Sequence, residues 1–247
     1  MKIKGVFFDL GGTLFRYTSN LRKGGGLKHL LSQLDIDVSS KEIINAWLKA
    51  SKEVGLLFGK KNYFLHKDLF REMVISFGNS FGYTVQEPLI EQFHQNQLKG
   101  LLQHMPIRDD CISTLKELKR RGLYLSIVSN IDDDYLEPII KKHTLDQLLD
   151  DWSSSEEAQS CKPDPHIFHF ALKKSGLHKD EVLFVGDSLE HDVAGSHSVG
   201  IRSVHIVEEG VVTPLTHGLK IIAEPTYRIT ELGELIPLIE SKIHENI

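Results

Sequence analysis

The residues of this 247-residue chain with chemistry to offer are a few acids, a lysine and a serine that stand at or near the ends of apolar runs. Val6-Phe7-Phe8 runs into Asp9 and then Leu10-Gly11-Gly12-Thr13, and Leu125-Ser126-Ile127-Val128 runs into Ser129-Asn130. Val182-Leu183-Phe184-Val185-Gly186 runs into Asp187, with Asp192 just beyond, and Lys162 opens Lys162-Pro163-Asp164-Pro165 between the second and third runs. Such runs read as buried parallel strands. Open α/β sheets bind ligands outside the carboxyl ends of their strands, so these polar residues would meet at one edge. One strand-ending acid before a glycine-rich turn is ordinary turn chemistry. Several together make a phosphoryl-transfer site, with a carboxylate nucleophile, hydroxyl and ammonium donors for phosphate oxygens, and further carboxylates for a hard cation. The donors are all oxygen, and no His or Cys joins them at a ligand spacing, which favours Mg²⁺ over a softer metal.

The elements that position these residues follow from periodicity. From residue 17 to about 104 strand-like runs disappear and helical spacing takes over, as in Leu27, Leu30, Leu31, Leu34 and in Ile43, Ile44, Trp47, Leu48. Ser39-Ser40-Lys41-Glu42 predicts a helix start, and residues 62–77 and 87–102 predict two more helices. Gly24-Gly25-Gly26 lacks the Lys-Ser/Thr of a nucleotide-binding loop and reads as a hinge or frayed helix start. From residue 105 helix and strand alternate. The pattern predicts a helix over 108–121 ended by Gly122, a strand over 123–128, a helix over 132–142 and a weak strand over 148–154. A helix capped by Asp164 and opened by Pro165 runs to 175, followed by a strand over 182–186, a helix to 198 ended by Gly200, and a strand over 201–207. A short strand over 227–229 and a helix over 230–243 close the chain. This predicts the α/β class: a parallel sheet flanked by helices on both faces, with an all-helical insert. The sheet and its helices would comprise residues 1–16 and 105–247, and the insert residues 17–104.

Composition narrows the partners. The formal charge of -5 comes from interspersed acids and bases, which gives no footprint for nucleic acid or an anionic membrane. No apolar stretch is long enough to span a bilayer, and the first apolar run, broken by Asp9, reads as a core strand rather than a signal. Cys111 and Cys161 are too few for a disulfide framework, so a reducing cytoplasm is the expected compartment. Oligomeric state leaves no mark on the sequence.

On Asp9-Leu10-Gly11-Gly12-Thr13, Ser129, Lys162 within Lys-Pro-Asp-Pro, and Gly186-Asp187 with Asp192, the chain resembles the haloacid dehalogenase superfamily over its whole length. The resemblance implies a Rossmann-like core (residues 1–16 and 105–247), the helical insert (17–104) as an all-helical cap that closes over the substrate, and an attack by Asp9 on phosphorus to form an aspartyl-phosphate. Ser129 and Lys162 would hold the phosphoryl oxygens, and the Lys162 charge would favour ionised Asp9. Mg²⁺ would be held by Asp9, the Gly11 carbonyl and Asp187, with Asp192 in support. Asn130, Gly11, Gly12 and Thr13 would line the substrate, Thr13 as a loop-stabilising hydroxyl. The implied substrate is a small phosphorylated metabolite.

One position departs from the pattern. Where family phosphatases carry a second aspartate as general acid and base, this chain has Gly11. General acid-base help contributes roughly 10²- to 10⁴-fold in rate, so a substitute is needed: a good leaving group such as an acyl phosphate, a cap donor or a positioned water. The departure keeps three other readings open. Dehalogenases of the superfamily lack the second acid but do not keep the metal-binding carboxylates. Phosphonate-cleaving relatives lack it, retain Mg²⁺ and use a cap lysine as a Schiff base; Lys28, Lys49, Lys60 and Lys61 are available, each also readable as a solvated helix face. A catalytically silent phosphate-binding protein is the third. As replacement donors the chain offers His66, His94 and His104 in the insert and His166, His169, His191 and His197 near the later motifs, where surface helix positions are the ordinary reading. Cys161 reads as a small loop residue, Arg16 as an anion contact or an exposed arginine, and Trp47, Phe58, Tyr63, Phe64, Phe70 and Phe77 as helical packing, with residues 58–64 available to line a pocket.

Overall fold

Six parallel strands, ordered β3-β2-β1-β4-β5-β6, form the sheet of the computed structural model, which describes residues 2–16, 27, 30–32, 37–208 and 223–244. They are β1 (Gly5–Phe8), β2 (Tyr124–Ser129), β3 (Asp151–Ser154), β4 (Val182–Gly186), β5 (Arg202–Ile206) and β6 (Tyr227–Ile229). The unbroken apolar runs are explained by burial on both faces. Val6 and Phe8 of β1 pack with Leu125, Ile127, Leu183 and Val185 on one face. Phe7 turns to the other, against Phe184, Ile167 and Phe168. In this order the chain reverses direction between β1 and β4, the switch point where doubly wound sheets bind ligands. Phe8 is paired with Ile127 on one side and Val185 on the other, so Asp9 leaves the sheet at that crevice.

Between β1 and β2 lies the inserted helical cap, with α1 (Ser40–Phe58), α2 (His66–Asn79) and α3 (Glu87–His104). Ser39 opens α1 through a capping box with Glu42, as its sequence predicts. Helix α2 starts later than its apolar spacing predicts. Residues 62–65 stay out of it: the Asn62 and Phe64 carbonyls accept from Cys161, from its N at 2.8 Å and its Sγ at 3.5 Å, and Leu65 stands at the N-cap. Ile43, Ala50, Val74, Phe77, Ile90 and Phe93 give the cap an apolar centre of its own. The expected helical spacing at Leu34, the glycines 24–26 and Lys28 lie outside the described residues.

The core helices are α4 (Cys111–Arg120), α5 (Asp133–Lys142), α6 (Ser155–Ala158), α7 (Pro165–Ser175), α8 (Gly195–Ser198) and α9 (Leu235–His244). Helix α4 begins after the expected residue 108 because Arg108 N is bonded to Leu14 O, tying that residue to the first loop. Asp164 caps α7 through the His166 N–H, with Pro165 in its first turn, as predicted. The helix expected after β4 is a π-helical turn, Leu189–Ala194, before it tightens into α8. Such turns recur at functional sites. Among the described residues no helix is long and apolar enough to cross a membrane.

Candidate functional site

Asp9 stands at the carboxyl end of β1 with only 8 % of its surface exposed. The turn behind it is tight: Leu14 N and Phe15 N both bond to Leu10 O, and Gly12 N bonds to Phe15 O. Gly12 takes a φ of 78°, in the left-handed region that favours glycine. Gly11 is not among the residues with positive φ. Asp9 Oδ1 accepts the Ser129 hydroxyl at 2.8 Å from the end of β2 and Lys162 Nζ at 2.6 Å from the loop before α7. Neither bond uses Oδ2.

Lys162 is held from both ends. Its ammonium also donates to Asp192 Oδ1 at 2.6 Å, while Asn130 braces its backbone, accepting from Lys162 N at 2.6 Å and donating to Lys162 O at 2.9 Å. Asp192 Oδ2 accepts from Ser188 N at 3.0 Å, so the acid closes its own loop back toward β4. The carboxylate passes so near β4 that a Cβ on Gly186 would lie 2.3 Å from Asp192 Cγ. The structure thus brings Asp9, Ser129, Asn130, Lys162, Asp187 and Asp192 together, with Gly11, Gly12 and Thr13 on the adjoining turn.

Charge decides what this space can hold. Burial pushes the Asp9 carboxyl up; Lys162 and Ser129 pull the other way without prevailing, and Asp192 adds to the rise. Burial opposes the Lys162 charge too, yet two carboxylates at 2.6 Å hold its ammonium above the ordinary lysine value. Oxygens of Asp9, Asp187 and Asp192 lie within 4.8 Å of one another. Three clustered carboxyl groups against one ammonium, which bonds to Asp9 and Asp192, make an all-oxygen donor set that fits a hard divalent cation. Thr13 Oγ1 is buried and bonds to nothing, so the loop-bracing hydrogen bond expected of it is not made.

Other candidates fall elsewhere. Lys49, Lys60 and Lys61 are exposed, Lys49 beside Glu53 and Lys61 over the Phe58 ring, far from the desolvated setting a Schiff-base lysine needs. His104, His166, His169 and His197 are exposed. His66 and His94 are not surface residues: His66 faces Asp132, and His94 is bonded to the Tyr135 hydroxyl and Asp134. Arg16 pairs with Glu208 and Glu231. Cys161 is buried, and burial pushes its thiol up, which makes it inert packing in a seam with Val54, Phe58, Phe64, Leu69 and Met73.

Two residues escaped the sequence reading. Arg108, 1 % exposed, lies beneath the first loop and donates from Nη2 to Gly12 O at 2.8 Å and to Glu208 at 3.1 Å. Its only signal was an arginine at the edge of an amphipathic helix. His205, on β5, donates from Nε2 to the carbonyl of Asp187 at 3.0 Å, and burial pushes its imidazole down, keeping it neutral. An isolated histidine within a strand gives no such signal.

The chain is 28% identical over 166 residues to (S)-2-haloacid dehalogenase 4A of Burkholderia cepacia, covering 62% of this chain and 67% of that one. It is 25% identical over 203 residues to a phosphoglycolate phosphatase of Mannheimia succiniciproducens, covering 82% and 85%. Among solved structures, the HAD-hydrolase YfnB of Bacillus subtilis, bound to magnesium, superposes with a TM-score of 0.73 over 97% of this chain and 99% of its own, at 16% identity, a likeness of fold. The profile of the haloacid dehalogenase-like hydrolases matches residues 6–206, and the chain belongs to that family.

Proposed function

We propose that this hydrolase is an Mg²⁺-dependent phosphatase of small phosphorylated metabolites, acting through an aspartyl-phosphate at Asp9, with residues 1–16 and 105–247 as core and 17–104 as cap. The observation that carries the reading is the gathering of Asp9, Asp187 and Asp192 oxygens within 4.8 Å of one another, with the buried Lys162 ammonium bonded to Asp9 and Asp192. Attack on carbon needs no such cluster; phosphoryl transfer, which concentrates negative charge on equatorial oxygens, does. Asp9, Asp187 and the Gly11 carbonyl would hold the metal, with Asp192 in support. Bound there, Mg²⁺ supplies charge neutralisation and alignment for the phosphoryl group.

The chain's own groups do the rest. Ser129 and Lys162 fix Asp9 Oδ1, leaving Oδ2 to attack phosphorus as the bond to the leaving oxygen breaks. With substrate bound, the Ser129 hydroxyl would turn from Asp9 to a transferring oxygen, and the third N–H of Lys162, used by neither Asp9 nor Asp192, would donate to another. Water then attacks phosphorus, the bond to Asp9 breaks, and phosphate leaves with the carboxylate restored. Gly11 gives no proton to a departing alkoxide, so substrates with stable leaving groups, acyl phosphates above all, should turn over faster than alkyl esters. Both cysteines are free and buried, in keeping with a reducing cytoplasmic compartment.

Phosphate release from acyl phosphates, phosphomonoesters and phosphonates, with and without Mg²⁺, tests the reading against the Asp9→Asn variant. Metal-dependent release abolished by the substitution is the expected outcome. Equal activity in the variant sinks the nucleophile assignment. Gly11 favours one second reading, hydrolytic dehalogenation, in which no alcohol needs protonation; halide release from 2-haloacids without phosphate release would establish it.

A further inference from the structure

Asp132 occupies the N-cap position of α5, two residues after Asn130, with the extended backbone such a residue adopts (φ −86°, ψ 154°). An aspartate there ordinarily caps its own helix. This one does not. Its carboxylate is fully buried and turns into the cap, where Oδ1 accepts the backbone N–H of His66 at 2.7 Å and Oδ2 that of Lys67 at 2.8 Å. Helix α2 in turn has no side-chain cap of its own, since Leu65 stands at its N-cap. One helix forgoes its cap and the other takes it from across the molecule, where the carboxylate also meets the positive end of the α2 dipole.

The same rim carries further ties. Cys161 N donates to Asn62 O at 2.8 Å, Cys161 Sγ reaches Phe64 O at 3.5 Å, and Gln159 Nε2 donates to the Tyr63 hydroxyl at 3.1 Å. Asn130, on the loop that carries Asp132, braces both backbone polar groups of Lys162. The start of α2, the loop after Ser129 and the loop at Lys162 therefore form one joint.

We propose that Asp132 is a positioning residue, a buried carboxylate that seats cap helix α2 on the loops presenting Ser129 and Lys162 and so fixes the cleft that encloses substrate. The kinetic consequence rests on the phosphatase reading; the seating does not.

Asp132→Asn keeps the shape but sets a side-chain NH₂ against one of the two backbone donors. Amide exchange in the full chain, with phosphate release alongside, reads the effect. Exchange at His66 and Lys67 and, across the joint, at Cys161 should rise roughly tenfold to a hundredfold, as loss of hydrogen bonds to a charged acceptor implies. Amides of β1 and β4 should not change, and KM should rise more than kcat falls. Adding Leu65→Asp gives α2 a local cap: protection at the helix start should return, while Cys161 exchange and KM stay altered. If Leu65→Asp restores all three, Asp132 is merely a helix cap and the proposal is overturned, as it is if Asp132→Asn leaves Cys161 exchange unchanged. The double variant decides by the same readout should the single one not fold. A wild type that releases no phosphate defeats the phosphatase reading alone, because exchange still judges the seating.

Discussion

A Cβ on Gly186 would lie 2.3 Å from Asp192 Cγ and the same distance from its Oδ2, so the absence of a side chain on β4 is what lets this carboxylate reach Lys162. The obstacle is not at the free end of a long side chain, because Asp192 is pinned by Ser188 N and Lys162 Nζ. We expect Gly186→Ala to displace the carboxylate, costing about 1–3 kcal/mol of stability as overpacking does. Turnover at saturating Mg²⁺ should fall at least about tenfold, since 1.4 kcal/mol of lost transition-state stabilisation suffices for that. Thermal unfolding and Mg²⁺ titration of activity check it, and an Mg²⁺ dependence equal to wild type would show that Asp192 does not support the metal.

Gly12, not Gly11, holds the left-handed backbone of the first loop, so an aspartate at position 11 meets no left-handed strain. Gly11→Asp should therefore supply the proton donor that the loop lacks. We expect a gain of roughly 10- to 100-fold for phosphomonoesters, within the range of general acid catalysis, and little change for acyl phosphates. Equal gains for both substrate classes would mean that the new carboxylate acts through the metal instead.

The sheet and much of the site were legible because buried parallel strands write themselves as apolar runs and their polar ends fall at one edge. Val182-Leu183-Phe184-Val185-Gly186 is β4 to the residue. What failed to show depends on partners distant in sequence. Nothing around Asn62 and Phe64 says that their carbonyls will serve Cys161, so the apolar spacing predicts α2 too early. Asp132 looked like the first residue of its own helix, and only the fold reveals that its carboxylate is spent 66 residues away. Lys162 was expected to leave Asp9 readily ionised, yet its ammonium is shared with Asp192 in a site where burial prevails.

Arg108 offers a separate test of the first loop. Its guanidinium is buried, with Nη2 on Gly12 O and Glu208, while Nε and Nη1 bond to nothing. Arg108→Met keeps the volume, removes the two unsatisfied donors and leaves the Gly12 carbonyl unpaired. The lost charged hydrogen bonds cost about 1.5–3 kcal/mol, and removal of the orphaned donors offsets part of it. We expect a net loss of about 1–2 kcal/mol, seen as roughly 2–4 °C of Tm per kcal/mol, together with lower kcat from a loosened loop. A more stable variant would mean that the orphaned nitrogens outweigh the Gly12 contact.

His143 packs edge-on against Phe15, ring centroids 4.9 Å apart, beside the segment that leads from the first loop toward the cap. Burial pushes its imidazole below the ordinary value of 6.5, and the neighbouring Lys142 charge adds to the effect. The unfolded chain therefore binds this proton more readily than the folded one. The stabilisation is fully present above pH 6.5 and is lost as pH falls from there through the folded value. We expect Tm to be level above neutrality and to decline on acidification below about pH 6.5, starting from the ordinary histidine pKa. His205, pushed down by burial as well, contributes with the same sign, so the wild-type curve alone does not apportion the decline. Comparison with His143→Gln does: the variant should lose part of the slope between pH 7 and 5 while retaining the share due to His205, and an unchanged slope would assign the whole dependence to groups other than His143.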